Sequence, residues 1–248
     1  MQQIITWLGH GSWKMTTPQG TVVYLDPWIT GNPACPITVD DIDSADLVCV
    51  THGHSDHLGN AIEIVQRTGA TLVTLPDVAA YCAGHGIPYD DGGGTVHMGG
   101  SIRQKDLTIH AVFALHTSDI MGEEYATEGR LMPGSGACGM ILTPDGGEPI
   151  YFAGDTGVFG DMRLIGDLYA PRVAVLPIGG KYTMGVREAA YAMELLGSDV
   201  LIPGHYNTNP AQHADVDDLA HQVAVRAPRA RVEILQPGGS YTVECGVR

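Results

Sequence analysis

A cluster of metal-binding side chains directly after a short apolar run is the feature that most restricts the fold of this chain. The apolar run, Leu47–Val50, predicts a buried β-strand. Residues 51–57 then contain three histidines and one aspartate in the pattern His-x-His-x-Asp-His. Because the polar residues end the strand, we predict that the cluster occupies a loop at its carboxyl end, where binding residues are common.

The spacing of these four side chains determines how many metal ions they can serve. In an extended loop His52 and His54 point the same way and can share one cation. Asp56 and His57 lie on the next turn and could serve a second cation. For any single histidine the alternative is a hydrogen-bonded core or surface residue, but three histidines with an aspartate at this spacing favour a metal site. The stretch is therefore predicted to supply half of a two-metal centre.

Length and composition allow one large domain or two small ones. The chain has 248 residues, and 44% of them are hydrophobic, so it can bury a large core. Gly and Pro are scattered between short apolar runs, and no block of Pro, Ser or charge marks a linker. We predict a single domain over residues 1–248.

The chain is strongly acidic, with 13 basic and 28 acidic residues and a formal charge of −15. This charge repels nucleic-acid phosphates and anionic lipid. Two divalent cations would reduce it only to about −11. We therefore expect a small-molecule substrate and neither nucleic acid nor membrane as a partner, while an assembly of identical chains remains open.

The cysteines and the N-terminus predict a cytoplasmic protein. Five dispersed cysteines without a Cys-x-x-Cys pair suit reduced thiols. The first residues, Met-Gln-Gln, lack the basic segment of an export signal. No apolar run approaches the ~20 residues that a bilayer crossing needs.

Hydrophobic periodicity predicts the order of the main elements. The first part of the chain alternates β-type runs with turns, at residues 4–8, 13–15 and Val22–Leu25, as an antiparallel meander does. After the cluster, helices are predicted at residues 60–68 and 77–84, strands at 71–75 and 107–112, and a loop at 90–94.

Three further metal-ligand candidates each follow an apolar run: His116, Asp155 and His205. Any one of them alone would be weak evidence. His97 and His110 also lie in or beside strand runs, and we interpret both as packing residues. Asp26 ends a strand and is ordinarily a turn former, but it could instead accept a hydrogen bond from a ligand histidine and orient its ring.

The cluster resembles the signature loop of the metallo-β-lactamase superfamily. Further blocks over nearly the whole chain resemble a family of small metal-dependent hydrolases related to the ascorbate-6-phosphate lactonase: WLGH at 7–10, LDPWITGNP at 25–33, GDTG at 154–157, PIGG at 177–180, YTMG at 182–185 and HYNT at 205–208. The resemblance implies an α/β fold, the four-layer αββα metallo-β-lactamase sandwich, with metals at the edge where strands end. Amphipathic helices at Val186–Leu196 and Val216–Arg226 would cover one outer face.

The resemblance also implies which side chains bind metal. The first metal takes three histidines and the second takes one aspartate and two histidines, while a further aspartate bridges the pair: His52, His54 and His116, then Asp56, His57 and His205, with Asp155 between them. All donors are nitrogen or oxygen, so the two divalent ions per chain are expected to be zinc, with manganese or iron as alternatives. An aspartate at the bridging position argues against a true β-lactamase.

The implied activity is hydrolysis by a hydroxide that bridges two metals, with Asp56 as the catalytic residue that orients it. His10, Lys181, Tyr182 and Thr183 are candidate substrate contacts. The scarcity of Arg and Lys near the ligands favours a small ester or lactone, with Lys181 as the one cation for a phosphate or carboxylate group. A phosphodiesterase is the alternative, and a redox di-iron protein or a non-catalytic metal-binding protein would be a different class.

Residues 118–136 are rich in Gly and acidic residues, and they form a longer segment than the resemblance leads us to expect. A segment of this length without apolar periodicity is usually functional or disordered. We interpret it as a mobile flap over the metals.

Overall fold

The computed structural model describes residues 2–89 and 93–244. Within these residues the strands form two sheets. The six-stranded sheet consists of β1 (Gln3–Trp7), β2 (Trp13–Thr16), β3 (Val22–Leu25), β4 (Leu47–Val50), β5 (Thr71–Thr74) and β13 (Ser240–Val243). The seven-stranded sheet consists of β6 (Ser101–Gln104), β7 (Leu107–Phe113), β8 (Cys138–Pro144), β9 (Ile150–Phe152), β10 (Val173–Pro177), β11 (Val200–Gly204) and β12 (Arg231–Val232).

Helices flank both sheets, as the predicted αββα sandwich requires. They are α1 (Ser55–Leu58), α2 (Ala61–Thr68), α3 (Pro76–Gly84), α4 (Glu123–Glu128), α5 (Met162–Tyr169), α6 (Val186–Leu196) and α7 (Val216–Arg226). Helix α6 packs against both α5 and α7. None of the helices in the described ranges is long and apolar enough to pass through a bilayer.

Each sheet is antiparallel in one part and parallel in the other. In the first, β13, β1, β2 and β3 pair antiparallel, which confirms the predicted meander, and β3, β4 and β5 pair parallel. In the second, β6 to β9 are antiparallel, whereas β9 to β12 are parallel. The carboxyl ends of parallel strands meet at one edge of a sheet, which is where ligands gather in such folds.

Burial on both faces of β4 explains why its apolar run is continuous. Alternate residues of a strand face opposite sides. Leu47 and Cys49 join the core between the two sheets, while Val48 and Val50 join a second core under α2 and α3. All four residues are buried, so neither face of the strand can be polar.

Most predicted elements are confirmed, and α6 and α7 have the predicted bounds. Helix α6 ends at Leu196, and the next residue, Gly197, has a φ of +67° in the left-handed region that glycine adopts readily. Strand β6 was not predicted, and it is an edge strand in which Ile102 is the one apolar residue. Residues 90–92 of the predicted loop, and Cys245, lie outside the described residues, and the four cysteines within them are free thiols.

Two interpretations need correction. Residues 118–136 are not an irregular loop throughout, since they contain α4 and an antiparallel bridge between Ile120 and Met132. Ile120 is buried in the core under α2 and α3, and the Tyr81 hydroxyl donates to Glu124, so both packing and hydrogen bonds anchor the segment. The predicted mobility stays a prediction. His97 is exposed rather than packed, whereas the ring of His110 contacts Tyr169.

Candidate metal centre

Four parts of the chain bring the predicted ligands to one place. His52 and His54 follow β4. His54 is the N-cap of the short helix α1, so Asp56 and His57 lie within that helix. His116, Asp155 and His205 come shortly after β7, β9 and β11. The chain leaves each strand at the edge of its sheet, so ligands far apart in sequence become neighbours.

The first group has the geometry of a metal site. The ligand atoms of His52, His54 and His116 lie within 4.8 Å of one another. The Nδ1 atom of His54 is 3.3 Å from Nε2 of His116. Two imidazole nitrogens bound tetrahedrally to zinc at about 2.0–2.1 Å would be about 3.3–3.4 Å apart. These side chains can therefore share one cation with little rearrangement.

The second group centres on Asp56. Its Oδ2 atom lies 3.9 Å from Nε2 of His57 and 3.5 Å from Nε2 of His205. It also accepts a hydrogen bond from Nε2 of His10, 3.0 Å away. The ligand atoms of His10, Asp56 and His205 lie within 4.8 Å of one another, although His10 was predicted only as a substrate contact.

Asp155 lies between the two groups. Its Oδ1 is 3.3 Å from Nε2 of His57, while its Oδ2 is 3.3 Å from Nε2 of His205 and 3.6 Å from Nε2 of His116. Burial opposes ionisation of this carboxyl, but the neighbouring His205 and His57 outweigh that effect and hold its pKa well below the usual range. A charged carboxylate with an oxygen on each side is suited to bridge two cations.

Unpartnered atoms test whether these residues fit a metal. Among the described residues, Nε2 of His52, His57 and His205 and Oδ1 of Asp155 are buried without a hydrogen-bond partner. An unsatisfied buried polar atom costs about 1–3 kcal/mol, so four in one place are not expected without a ligand. All four belong to predicted metal ligands. The donor set therefore fits divalent metal ions.

Burial also sets the protonation of the histidines. Removal from water is the largest influence on His52, His54 and His116, and it lowers the pKa of each below the ordinary value. Their rings are thus neutral near pH 7, as metal coordination requires. Burial likewise opposes a charge on His57, but the surrounding carboxylates, Asp155 foremost, raise its pKa above the ordinary value.

Asp26 lies beside the ligand histidines, where a carboxylate that orients their rings was predicted. It is fully buried, with a φ of +46° in the left-handed region. Its Oδ1 accepts from the backbone N–H of Thr51, and its Oδ2 accepts from the Thr51 hydroxyl and from Nδ1 of His57. Since that hydroxyl donates to Asp26, it accepts from Nδ1 of His52, 3.0 Å away. Asp26 thereby leaves Nε2 of both histidines free for metal.

Other contacts around the ligands were not anticipated. The Thr208 hydroxyl lies 2.8 Å from Nδ1 of His10, and the Gln212 amide lies 3.2 Å from Nδ1 of His205. The block HYNT at 205–208 was the signal nearest to them, since it places Thr208 three residues after a ligand. Nothing in the sequence pairs Thr208 with His10.

A cavity of about 330 Å³ opens onto the centre. Its wall includes ligands from both groups together with His10, Trp28, Met121 and Tyr182. The side chain of Tyr182 is 53% exposed, which suits a residue at the mouth. Two of the predicted substrate contacts, Lys181 and Thr183, are not part of this wall, and the Lys181 ammonium lies 4.9 Å from the centre of the Tyr182 ring.

Gly11 offers a test of how tightly the ligands are packed. A Cβ atom at this position would lie 2.9 Å from Cε1 of His57 and 3.4 Å from Cδ2 of His205. We expect Gly11→Ala to displace both rings, reducing metal content and activity at least about tenfold, at a cost to stability of about 1–3 kcal/mol. Metal analysis and thermal unfolding are the measurements. Gly160→Ala is the control because a Cβ there meets nothing within 4 Å, and equal behaviour of the two variants would contradict the expectation.

Comparison with known proteins agrees with this architecture. A model of the Beta-lactamase superfamily domain matches residues 21–206. The UPF0173 metal-dependent hydrolase of Methanopyrus kandleri is 42% identical over 237 residues, which cover 96% of this chain and 98% of that protein. The corresponding protein of Koribacter versatilis is 38% identical over 242 residues, or 96% of this chain and 97% of its own.

A solved structure supports the same assignment. Igni18, described as a metallo hydrolase from Ignicoccus hospitalis, superimposes with a TM-score of 0.83 at 34% identity, covering 99% of this chain and 100% of Igni18. Both the sequence and the arrangement of the two sheets are therefore shared along the full length. The chain belongs to the beta-lactamase superfamily and, within it, to the UPF0173 metal-dependent hydrolases.

Proposed function

We propose that this protein is a binuclear hydrolase that uses an activated water to cleave a small, uncharged ester or lactone. The observation that carries the proposal is the position of Asp155, whose two oxygens face ligands of both groups. One cation would leave part of this donor set unpaired, whereas two would use all of it. Bound divalent cations lower the pKa of a water, polarise the substrate oxygen and stabilise the leaving group.

The chain's own residues have distinct tasks in this reaction. His52, His54 and His116 would hold one ion, and Asp56, His57 and His205 would hold the other. Asp56 lines the cavity and is fixed by His10, so it can accept a hydrogen bond from the attacking water and orient it. Burial opposes ionisation of Asp56, but the charge of His57 and the hydrogen bond from His10 outweigh this and keep its pKa below the usual range. The carboxylate therefore remains an acceptor.

The cavity wall supports an uncharged substrate. Among the described residues, no Lys or Arg contributes to it, and Trp28, Met121 and Tyr182 supply apolar surface. An anionic group that lies away from the metal ions would usually be held by a cationic side chain within hydrogen-bonding distance. Lys181 lies outside the wall, over the Tyr182 ring, so we no longer assign it a phosphate or carboxylate. A volume of about 330 Å³ is at the small end of the range for ligand sites.

A paired substrate screen tests the bond that is cleaved. One metal-loaded preparation is assayed against neutral lactones and aryl esters and, in parallel, against bis-aryl phosphates. We expect turnover of the neutral acyl substrates. Turnover of the phosphodiesters with the acyl substrates untouched would overturn the ester or lactone assignment and favour the phosphodiesterase alternative.

The metal content tests the two-ion proposal separately. We expect about two ions per chain after reloading with zinc, manganese or iron, measured by elemental analysis. His57→Ala should empty mainly the second position and His116→Ala mainly the first, because these rings lie in different groups. A ceiling of one ion per chain in the unmodified protein would contradict the binuclear proposal.

A further inference from the structure

The ligand histidines differ in what their second ring nitrogen contacts. Nδ1 of His57 faces a carboxylate oxygen of Asp26 at 2.8 Å, which can only accept, so the neutral ring, the form that binds metal, carries its proton on Nδ1 and keeps the lone pair on Nε2. Nδ1 of His205 instead faces the amide of Gln212 at 3.2 Å. An amide can donate or accept, so its orientation decides which nitrogen of His205 carries the proton.

Neighbouring hydrogen bonds fix that orientation. The backbone N–H of Ala211 donates to Oδ1 of Asn209 at 3.0 Å, and a backbone N–H can only donate. Nδ2 of Asn209 therefore points the other way and donates to Oε1 of Gln212. This leaves Nε2 of Gln212 facing His205, in a side chain that is only 3% exposed.

The consequence is unfavourable for metal binding. A donor opposite Nδ1 of His205 makes this nitrogen the acceptor and leaves the ring proton on Nε2. Nε2 is the atom that lies 3.5 Å from Asp56 and 3.3 Å from Asp155, where a metal ligand needs a lone pair. To coordinate a cation, the ring must move its proton to Nδ1 and the Gln212 amide must turn, which breaks its bond with Asn209.

His52 in the first group has no such obstacle. Nδ1 of His52 donates to the Thr51 hydroxyl, which is committed to Asp26, so Nε2 of His52 is already free. His52 and His205 thus differ in preorganisation, although each presents Nε2 to the centre.

We propose that Gln212, held by Asn209, is a positioning residue that weakens the second metal position by selecting the wrong tautomer of His205. The inference rests on the two-ion proposal above. It implies ordered loading: the first position fills at lower metal concentration, and the second fills with a rearrangement of residues 209–212.

Two variants test it through different chemistry. Gln212→Glu places a carboxylate opposite Nδ1, as Asp26 does for His57. Asn209→Ala adds no charge and does not alter the residue beside His205, but it frees the amide to turn. Nitrogen-15 NMR of metal-free protein reports the His205 tautomer, and zinc titration calorimetry reports the affinity of each position.

We expect the His205 proton on Nε2 in the unmodified protein and on Nδ1 in Gln212→Glu, with the second dissociation constant lowered about 10- to 100-fold. Asn209→Ala should shift the tautomer and the second affinity in the same direction, with the first position unchanged. This variant remains decisive if the buried carboxylate of Gln212→Glu impairs folding.

A proton on Nδ1 in the unmodified protein would overturn the inference, as would an unchanged tautomer and affinity in Asn209→Ala. Uptake of one ion by the unmodified protein would instead overturn the two-ion proposal. The tautomer in the metal-free protein does not depend on that outcome, so the two failures can be distinguished.

Discussion

Asp155→Asn is expected to lower kcat for hydrolysis at least about 10²-fold while the protein stays folded. Asparagine has the same size but directs an amino group towards either the His57 or the His205 side, and the amino group repels a cation. Loss of one such preorganised electrostatic contact costs about 10²–10³-fold in kcat. Steady-state kinetics on the best acyl substrate, with elemental analysis of the same sample, measures the effect.

A structural interpretation of Asp155 makes a different prediction. If the carboxylate only held the fold together, Asp155→Asn would lower the melting temperature of metal-free protein in proportion to its loss of activity. We expect the melting temperature to change by only a few degrees, because the carboxylate is surrounded by ligand side chains rather than core contacts. Asp145→Asn, at a half-exposed pair with Arg103, is the matched control and should retain full activity.

Asp26→Asn is expected to weaken metal binding although Asp26 is not one of the predicted ligands. The carboxylate accepts at both oxygens, from the Thr51 backbone at Oδ1 and from the Thr51 hydroxyl and His57 at Oδ2. Asparagine must present an amino group on one of these sides. If it faces His57, Nδ1 becomes the acceptor, and the proton moves to Nε2, the nitrogen that should bind metal. If it faces the backbone N–H, a buried donor loses its partner.

The two outcomes have different magnitudes. The tautomer change should lower the affinity of the second position about 10- to 100-fold, and the lost hydrogen bond should lower the free energy of unfolding by about 1–3 kcal/mol. Metal titration and urea unfolding of the metal-free protein measure them. Asp40→Asn is the control, since Asp40 is 91% exposed in its pair with Arg67. Unchanged metal affinity and stability in Asp26→Asn would show that Asp26 orients neither histidine.

Much of the fold follows from local patterns that the sequence displays directly. The uninterrupted apolar run of β4 reflects burial on both faces, and the bounds of α6 and α7 follow from helical periodicity and from Gly197. The edge strand β6 escaped detection because half of its surface faces water and its residues need not be apolar. The segment 118–136 escaped because its order comes from Tyr81 and from the core beneath Ile120, both distant in sequence.

The seven ligands were predicted because each comes after an apolar run and because their order resembles that of the metallo-β-lactamase superfamily. The position of a side chain after a strand is a local feature. The orientation of the ligands is not local. His57 depends on Asp26, 31 residues away, and His10 depends on Thr208, 198 residues away. The exclusion of Lys181 from the cavity and the donor that faces His205 likewise appear only once the loops are in place. The sequence by itself determined which candidate metal-binding groups the chain carries, since that is a property of residue type and spacing. Only the tertiary structure decided which nitrogen of each ring is free, because that depends on hydrogen bonds between side chains that folding brings together.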